Sequence, residues 1–301
     1  LKVEPPSIDE IKLINPQTLL ISALQIKTQS KGYFEALAKK RITALAFEYI
    51  KDEDGAYPAV RSLSEIAGTA SILIASELLS NVNGGNGLMM GNINGVPPTE
   101  VLILGAGTVG EFAARSAIGL GANVKVFDSS ITKLRCLQNN LGRTIYTSTM
   151  QPKSLLKALK RCDVAIGAVR GTNRSPIVVT ETMVDHMKSG SVIIDVSIDM
   201  GGCFETSEVT SHDHPTFEHN GVIHYCVPNI PARYSRTASV SISNIFTPYL
   251  VEIGEYGGIE NALRFDRGLK NGLYFYHGIL TNKSVAEWFG LDYNDANLLI
   301  F

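Results

Sequence analysis

Residues 105–110 read Gly105-Ala106-Gly107-Thr108-Val109-Gly110, the Gly-x-Gly-x-x-Gly spacing that lets a main chain approach a phosphate. Such a hexamer also arises by chance, and its setting is what gives it meaning. It follows the apolar run 100–104 and opens a helical pattern. The next strand-like run ends in an acid, Asp128, 23 residues after Gly105. Together these make the βαβ fingerprint of a dinucleotide site. Gly105 permits the tight turn, Gly107 lets a pyrophosphate reach the backbone, and Gly110 allows close helix–strand packing. The amides of the helix start, through Ala106, Thr108 and Val109, face the phosphate charge. Asp128 is expected to accept from the adenosine ribose hydroxyls and to repel a 2′-phosphate, which favours NAD over NADP. Lys133, one helical turn beyond, either neutralises phosphate or is a solvated surface lysine. A nicotinamide cofactor implies hydride transfer. The fold alone says no more, since many dehydrogenases share it.

The elements that must hold this turn follow from periodicity. Residues 19–24 read as a buried strand, 30–40 as an amphipathic helix starting at Ser30, and 42–50 as a β-branched, aromatic strand, making a β-α-β opening. Residues 63–80 have helical spacing with Ser64 as an N-cap candidate. The glycine-rich stretch 84–95 reads as a flexible linker or a turn cluster. Strands are expected at 100–105, 123–128, 163–168 and 191–197, with helices at 107–119, 130–139, 152–161 and 180–188. Continuously apolar strands alternating with helices imply a parallel sheet covered on both faces. A long helix is expected over 238–255. Residues 1–16 read as irregular, and 259–290 as short helices and loops.

Composition narrows the class. The chain has 301 residues, 45% hydrophobic and 19% charged, which excludes disorder and fits one large or two smaller α/β domains. A formal net charge of −2 gives no basic field for gripping a nucleic acid. No run of about 18 apolar residues predicts a membrane span. Four scattered cysteines, at 136, 162, 203 and 226, read as reduced, buried thiols in the cytoplasm, with no paired spacing for a structural metal. The first residue is Leu1 and no signal-peptide pattern follows, so the chain is expected to begin inside a longer gene product.

Several longer segments carry a more specific signal. These are PAVRSLSEIAG (58–68), NGVPPTEVLILGAGTVG (94–110), KSGSVIIDVSIDMGGCFET (188–206), DHPTF (213–217), HYCVPNIPA (224–232) and SRTASVSISNIFTPYL (235–250). In them the chain resembles the alanine dehydrogenases and the broader group that includes the NAD-binding subunit of proton-translocating transhydrogenase. LKVEPP (1–6) looks like that family's Lys-Glu-Pro substrate segment with one inserted residue. The resemblance implies a two-domain α/β subunit with a Rossmann-type doubly wound parallel sheet and a second α/β substrate domain built from both ends of the chain. The expected boundaries are 1–62 for the substrate portion, 63–236 for the NAD-binding domain, and 237–301 for the linking helix and return, with the chemistry in a cleft between domains. It also implies reversible oxidative deamination of L-alanine to pyruvate and ammonia, and a homo-oligomer, either a dimer or a hexamer.

Residue by residue, Lys2 matches the family lysine that binds the substrate carbonyl or carboxylate. Asp199 matches the family aspartate, at the carboxyl end of a strand where ligands of such sheets bind. Asn229 matches an Asn-x-Pro near the nicotinamide, although an Asx turn before Pro231 would also explain it. Ser64 matches a serine near the cofactor, and Val169 and Val196 complete the expected cofactor set. The histidine that serves as an acid–base group in the family aligns with Gln25, which does not titrate near neutral pH. Hence two alternatives stay open: a related dehydrogenase for another amino or imino acid, or an NAD-binding protein with impaired catalysis. The transhydrogenase subunit is disfavoured, because 58–68 lacks its Arg-Ala-Gln-Ser type of motif. His212 and His214 are read as part of an ordinary loop, not as metal ligands.

Overall fold

The computed structural model describes residues 1–171 and 174–300. In chain order the strands are β1 (Leu19–Ser22), β2 (Thr43–Ala46), β3 (Glu100–Leu104), β4 (Asn123–Phe127), β5 (Tyr146–Ser148), β6 (Val164–Gly167), β7 (Val192–Asp195), β8 (Thr216–His219), β9 (Val222–Tyr225), β10 (Leu273–Tyr276) and β11 (Ile279–Leu280). Two compact units emerge: Leu63–Ala238, and Leu1–Ser62 together with Ser239–Phe301.

The unit Leu63–Ala238 is built on a seven-stranded sheet ordered β5-β4-β3-β6-β7-β9-β8 among the described residues. All pairs are parallel except β8–β9. Starting from β3, the chain runs outward through β4 to β5, then returns to the other side of β3 at β6, so the strand order reverses between β3 and β6. Side chains of a strand alternate between faces, and both faces here are apolar. Val101 and Ile103 of β3 join one buried cluster with Ala113 and Ala117 of the helix Thr108–Gly119 and Leu134 of the helix Ile131–Leu141. Leu102 and Leu104 point into the opposite cluster, with Leu155 and Leu159 of the helix Pro152–Leu159. The expected doubly wound parallel sheet is therefore present, and its continuous apolar runs are the reason.

The second unit carries a sheet ordered β1-β2-β10-β11. β1 and β2 are parallel, joined by the helix Lys31–Lys39, while β10 returns from the far end of the chain to pair antiparallel with β2. In its core Phe34 stacks on Phe275 and meets the partly buried Phe289 at a tilt. Both ends of the chain thus build one α/β unit, as the resemblance implies.

Several local expectations fail, each for a physical reason. Residues 8–13 are a helix, because Ser7 and Glu10 form a capping box: Ser7 Oγ accepts from the Glu10 amide at 3.2 Å, and the Glu10 carboxylate accepts from the Ser7 amide at 2.7 Å. The helix expected from 63 starts at Pro58, whose missing N–H costs nothing at a first helical position, so Ser64 lies inside the helix and is not its cap. Strands β5, β8, β9, β10 and β11 were not anticipated. β8–β9 turns on Asn220-Gly221 and β10–β11 on His277-Gly278, all four with positive φ, the geometry of two-residue hairpin turns. Of the two readings of 84–95, the turn cluster holds and the flexible linker does not: Met90 is buried, Thr99 donates to the Met89 carbonyl, and a Cβ on Gly85 would overlap the Leu78 carbonyl. Of the four thiols, Cys162, Cys203 and Cys226 are buried, but Cys136 is exposed, on the solvent side of the helix Ile131–Leu141.

Ile103 is fully buried in the central strand. Ile103→Ala is expected to lower unfolding stability by about 2–5 kcal/mol, measured by urea denaturation.

Candidate active site

The carboxyl edge of the seven-stranded sheet is shaped by backbone touching backbone. Gly105 follows β3 with φ +110°, and a Cβ there would overlap the carbonyl oxygen of Ala168, which follows β6. A Cβ on Gly110 would overlap the Gly105 carbonyl. Gly107 differs: nothing lies within 4 Å of where its Cβ would stand. It caps the helix Thr108–Gly119, whose first turn bond runs from the Glu111 amide to the Gly107 carbonyl at 2.9 Å. The preceding amides of Thr108, Val109 and Gly110 therefore have no helical acceptor. Helix Pro58–Leu78 reaches this turn as well: a Cβ on Gly68 would overlap the Val109 carbonyl.

Asp128 is 7% exposed at the end of β4. Its Oδ2 accepts from the Ala106 amide at 2.8 Å and its Oδ1 from the Ser130 amide at 2.7 Å, so the carboxylate ties the glycine turn to the next helix. Each oxygen keeps a lone pair for a further donor. Lys133 is exposed in the first turn of that helix, its amide bonded to Ser130 Oγ. Val169 lies half-buried just past the Ala168 carbonyl that Gly105 meets.

On the other side of the strand-order reversal, β7 ends in Asp195, which is fully buried. Its carboxylate accepts from the amides of Ser197 (3.0 Å), Cys203 (2.8 Å) and Phe204 (3.3 Å) and from Ser207 Oγ (2.7 Å). Burial pushes its pKa up, and these donors pull against that. The bonds close residues 196–207 into a fixed loop, which carries half-buried Val196 and presents Asp199. Asp199 keeps an exposed edge. Its Oδ1 accepts from the Asn229 amide at 2.9 Å, and Asn229 sits in the left-handed region at φ 52°. Desolvation by the surrounding loop pushes the Asp199 pKa up, against the pull of the Asn229 amide, and the charge of Asp195 adds to the rise.

Residues 71–283 match the family described as alanine dehydrogenase/PNT, C-terminal domain, and residues 1–67 match its N-terminal domain. The chain belongs to the alanine dehydrogenase/PNT family. It is 36% identical over 298 residues to the alanine dehydrogenase of Staphylococcus haemolyticus, covering 98% of this chain and 79% of that protein. To that of Mycolicibacterium smegmatis it is 37% identical over 297 residues, covering 98% and 80%. Among solved structures it is similar to an L-alanine dehydrogenase, with a TM-score of 0.89, 34% identity and coverage of 96% and 79%. A transhydrogenase from Sinorhizobium meliloti shares the fold at a TM-score of 0.76 and 21% identity, covering 94% and 78%.

Two of the residues matched to the alanine dehydrogenase pattern lie in the unit Leu1–Ser62 with Ser239–Phe301. Lys2 is docked, not frayed: its amide donates to the Ile21 carbonyl at 2.9 Å, beside β1. Its ammonium is 2.7 Å from Glu10 Oε2, and that contact, foremost, holds the Glu10 carboxyl down at about 2. Gln25 follows β1 in the left-handed region at φ 47°, with its side chain exposed. In the other unit, the structure brings Gly105, Ala106 and Asp128 together, and joins Asp199 to Asn229. Ser64 is a half-buried residue in mid-helix. Asp195 and Gly68 were not singled out from sequence. Asp195 was legible as an acid ending an apolar strand in VIIDVSIDMGG, whereas nothing local marks Gly68 as a crossing point.

A carboxyl whose pKa is raised on folding contributes stability below its unfolded value, about 3.9, and loses it as pH rises through the folded value. Asp199→Asn keeps the oxygen that accepts from Asn229. It is therefore expected to stabilise the protein at pH 7, with the gain vanishing below about pH 4. Urea unfolding at both pH values checks this, and a gain that persisted into acid would rule out charge as its cause.

Proposed function

We propose that this protein catalyses the reversible NAD-dependent oxidative deamination of L-alanine to pyruvate and ammonia. The observation that carries the reading is the pairing of a dinucleotide turn with an acid of raised pKa, Asp199, at one carboxyl edge of the sheet, in a chain that resembles alanine dehydrogenases over nearly its whole length. The residues present fit the cofactor. Space at Gly107 suits a pyrophosphate, the amides from Thr108 to Gly110 suit its charge, and the spare lone pairs of Asp128 suit ribose hydroxyls. Lys133 is the proposed outer cation, with Val169, Val196, Ser64 and Asn229 toward the nicotinamide end. When bound, the nicotinamide supplies the acceptor for the substrate Cα hydride.

The chain's own groups have distinct jobs in this reading. Lys2 offers an ammonium to the substrate carbonyl or carboxylate, with Glu10 as its resting partner. Asp199, its pKa raised by burial, holds and moves the proton when water adds to the imine and ammonia leaves. The Asn229 amide fixes its orientation. Gln25 donates and accepts hydrogen bonds but holds no proton for transfer. That last feature favours a second reading, a dehydrogenase for a related amino or imino acid whose polar group Gln25 recognises. The three buried thiols fit a reducing compartment, the cytoplasm. Exposed Val240, Leu250 and Val251 on the helix Ser235–Glu255 are apolar surface that fits burial in a dimer or hexamer.

NADH oxidation with pyruvate plus ammonium tests the proposal. The expected result is turnover with NADH well above that with NADPH, and a loss of about 10²–10⁴-fold in Asp199→Asn. NADH binding without turnover on pyruvate, but with turnover on another keto acid, would replace alanine by the second reading. Gln25→His is expected to add an ionisation near pH 6.5 to the pH–rate profile. An unchanged profile in the folded variant would place Gln25 away from the proton transfers.

A further inference from the structure

β1 and β2 end together, with Ser22 opposite Ala46 in the parallel register. Each strand is followed by a short 3-10 turn, Ile26–Thr28 after β1 and Phe47–Tyr49 after β2. Glu48 lies in the second turn and reaches across to the first. Its Oε1 accepts from the Leu24 amide at 2.8 Å and from the Gln25 amide at 3.1 Å. The carbonyls of the same two residues are held as well: Gln29 Nε2 donates to Leu24 at 3.1 Å, and the amide and hydroxyl of Thr28 donate to Gln25, each at 2.9 Å. Gln25 is thereby pinned in the left-handed region, which a long side chain rarely adopts without support.

The clamp is maintained at a cost. Glu48 Oε2 is buried without a hydrogen-bond partner. Nearby lie Tyr33 and Tyr274, buried and hydrogen-bonded to one another at 3.3 Å. Burial above all pushes the hydroxyl pKa of each upward; for Tyr274 the neighbouring Tyr33 comes next, and the charge of Glu48 is a smaller contributor to both. Burial also pushes the Glu48 carboxyl up, against the pull of the amides it binds. A carboxyl serving only the packing of this unit would gain nothing from an orphaned oxygen, since an apolar residue fills such a space more cheaply.

We propose that Glu48 is the positioning residue for Gln25: by holding the Leu24 and Gln25 amides it fixes the direction in which the exposed Gln25 carboxamide is presented to substrate. This rests on the dehydrogenase reading above, in which Gln25 faces the reaction. Glu48 acts through Gln25 and does not itself exchange a proton with substrate.

A double-mutant cycle on the full chain tests this, with Glu48→Leu, Glu48→Gln and Gln25→Ala. Glu48→Leu is expected to lower kcat about 10- to 100-fold, as for a displaced active-site group, with KM for NADH unchanged. Glu48→Gln keeps the accepting oxygen and should recover to within about 3-fold of the parent, as retention of that bond requires. Added to Gln25→Ala, Glu48→Leu should cost little more, because the two act as one unit. Full additivity, or equal damage from Glu48→Gln and Glu48→Leu, overturns the proposal. Amide hydrogen exchange gives a readout independent of turnover. The Leu24 and Gln25 amides should be protected in the parent and in Glu48→Gln, and exposed in Glu48→Leu, with the strands of the nucleotide unit unchanged. Rapid exchange of both amides in the parent overturns the clamp, even if Glu48→Leu fails to fold. Absence of turnover with any keto acid in a parent whose amides are protected overturns the dehydrogenase reading, and with it the role of Gln25 toward substrate, while leaving the clamp standing.

Discussion

No side chain fits where the backbone leaving β3 meets the backbone leaving β6. That single exclusion organises the larger unit. With Gly105 against the Ala168 carbonyl and Gly110 against the Gly105 carbonyl, the helix Thr108–Gly119 starts almost on top of the sheet edge. Its first amides then lack helical acceptors, beside the gap left by Gly107, at the place where the strand order reverses. Gly68 extends the same constraint to the helix Pro58–Leu78, which touches the Val109 carbonyl. A methyl group at any of three of these glycines would meet main-chain oxygen, and main chain has no rotamer by which to yield.

In both units, carboxylates are used to hold backbone. Asp128 binds the amides of Ala106 and Ser130, Asp195 binds three amides and a hydroxyl, and Glu48, in the other unit, binds two amides. A charged acceptor makes a stronger bond to an amide than a neutral one and is held in place by it. The loops after β1, β4 and β7 are therefore fixed from within, alongside the apolar anchors Leu24 and Phe204 that two of them bury. Asp199 stands apart from this set. It binds a single amide, keeps an exposed edge, and has a raised pKa, which is the profile of an acid available for proton exchange.

The family pattern and this chain part at Gln25. An imidazole can both bond and titrate, whereas a carboxamide can only bond. On the proposed reading the proton transfers pass to Asp199, while the backbone of Gln25 is pinned by the bonds to its amide and carbonyl. A neutral side chain on so fixed a backbone suits recognition better than proton transfer.

The sequence by itself determined the doubly wound sheet, because continuous apolar runs such as VLIL and VIID can only be covered on both faces, and it determined the glycine turn, because spacing alone distinguishes the three glycine roles. It also marked Asp128 and Asp199 as acids at strand ends. The hairpin turns at Asn220-Gly221 and His277-Gly278 are local too, but their two-residue signals are short beside the longer apolar runs. What only tertiary structure decided is long-range. β10 joins β2 across more than two hundred residues, Glu48 finds the amides of Leu24 and Gln25, and Asn229 finds Asp199. Periodicity reports what each segment must bury, since that depends on neighbours a few residues away. Which carboxylate meets which amide depends on how strand ends are brought side by side, and that is settled only when the sheets form.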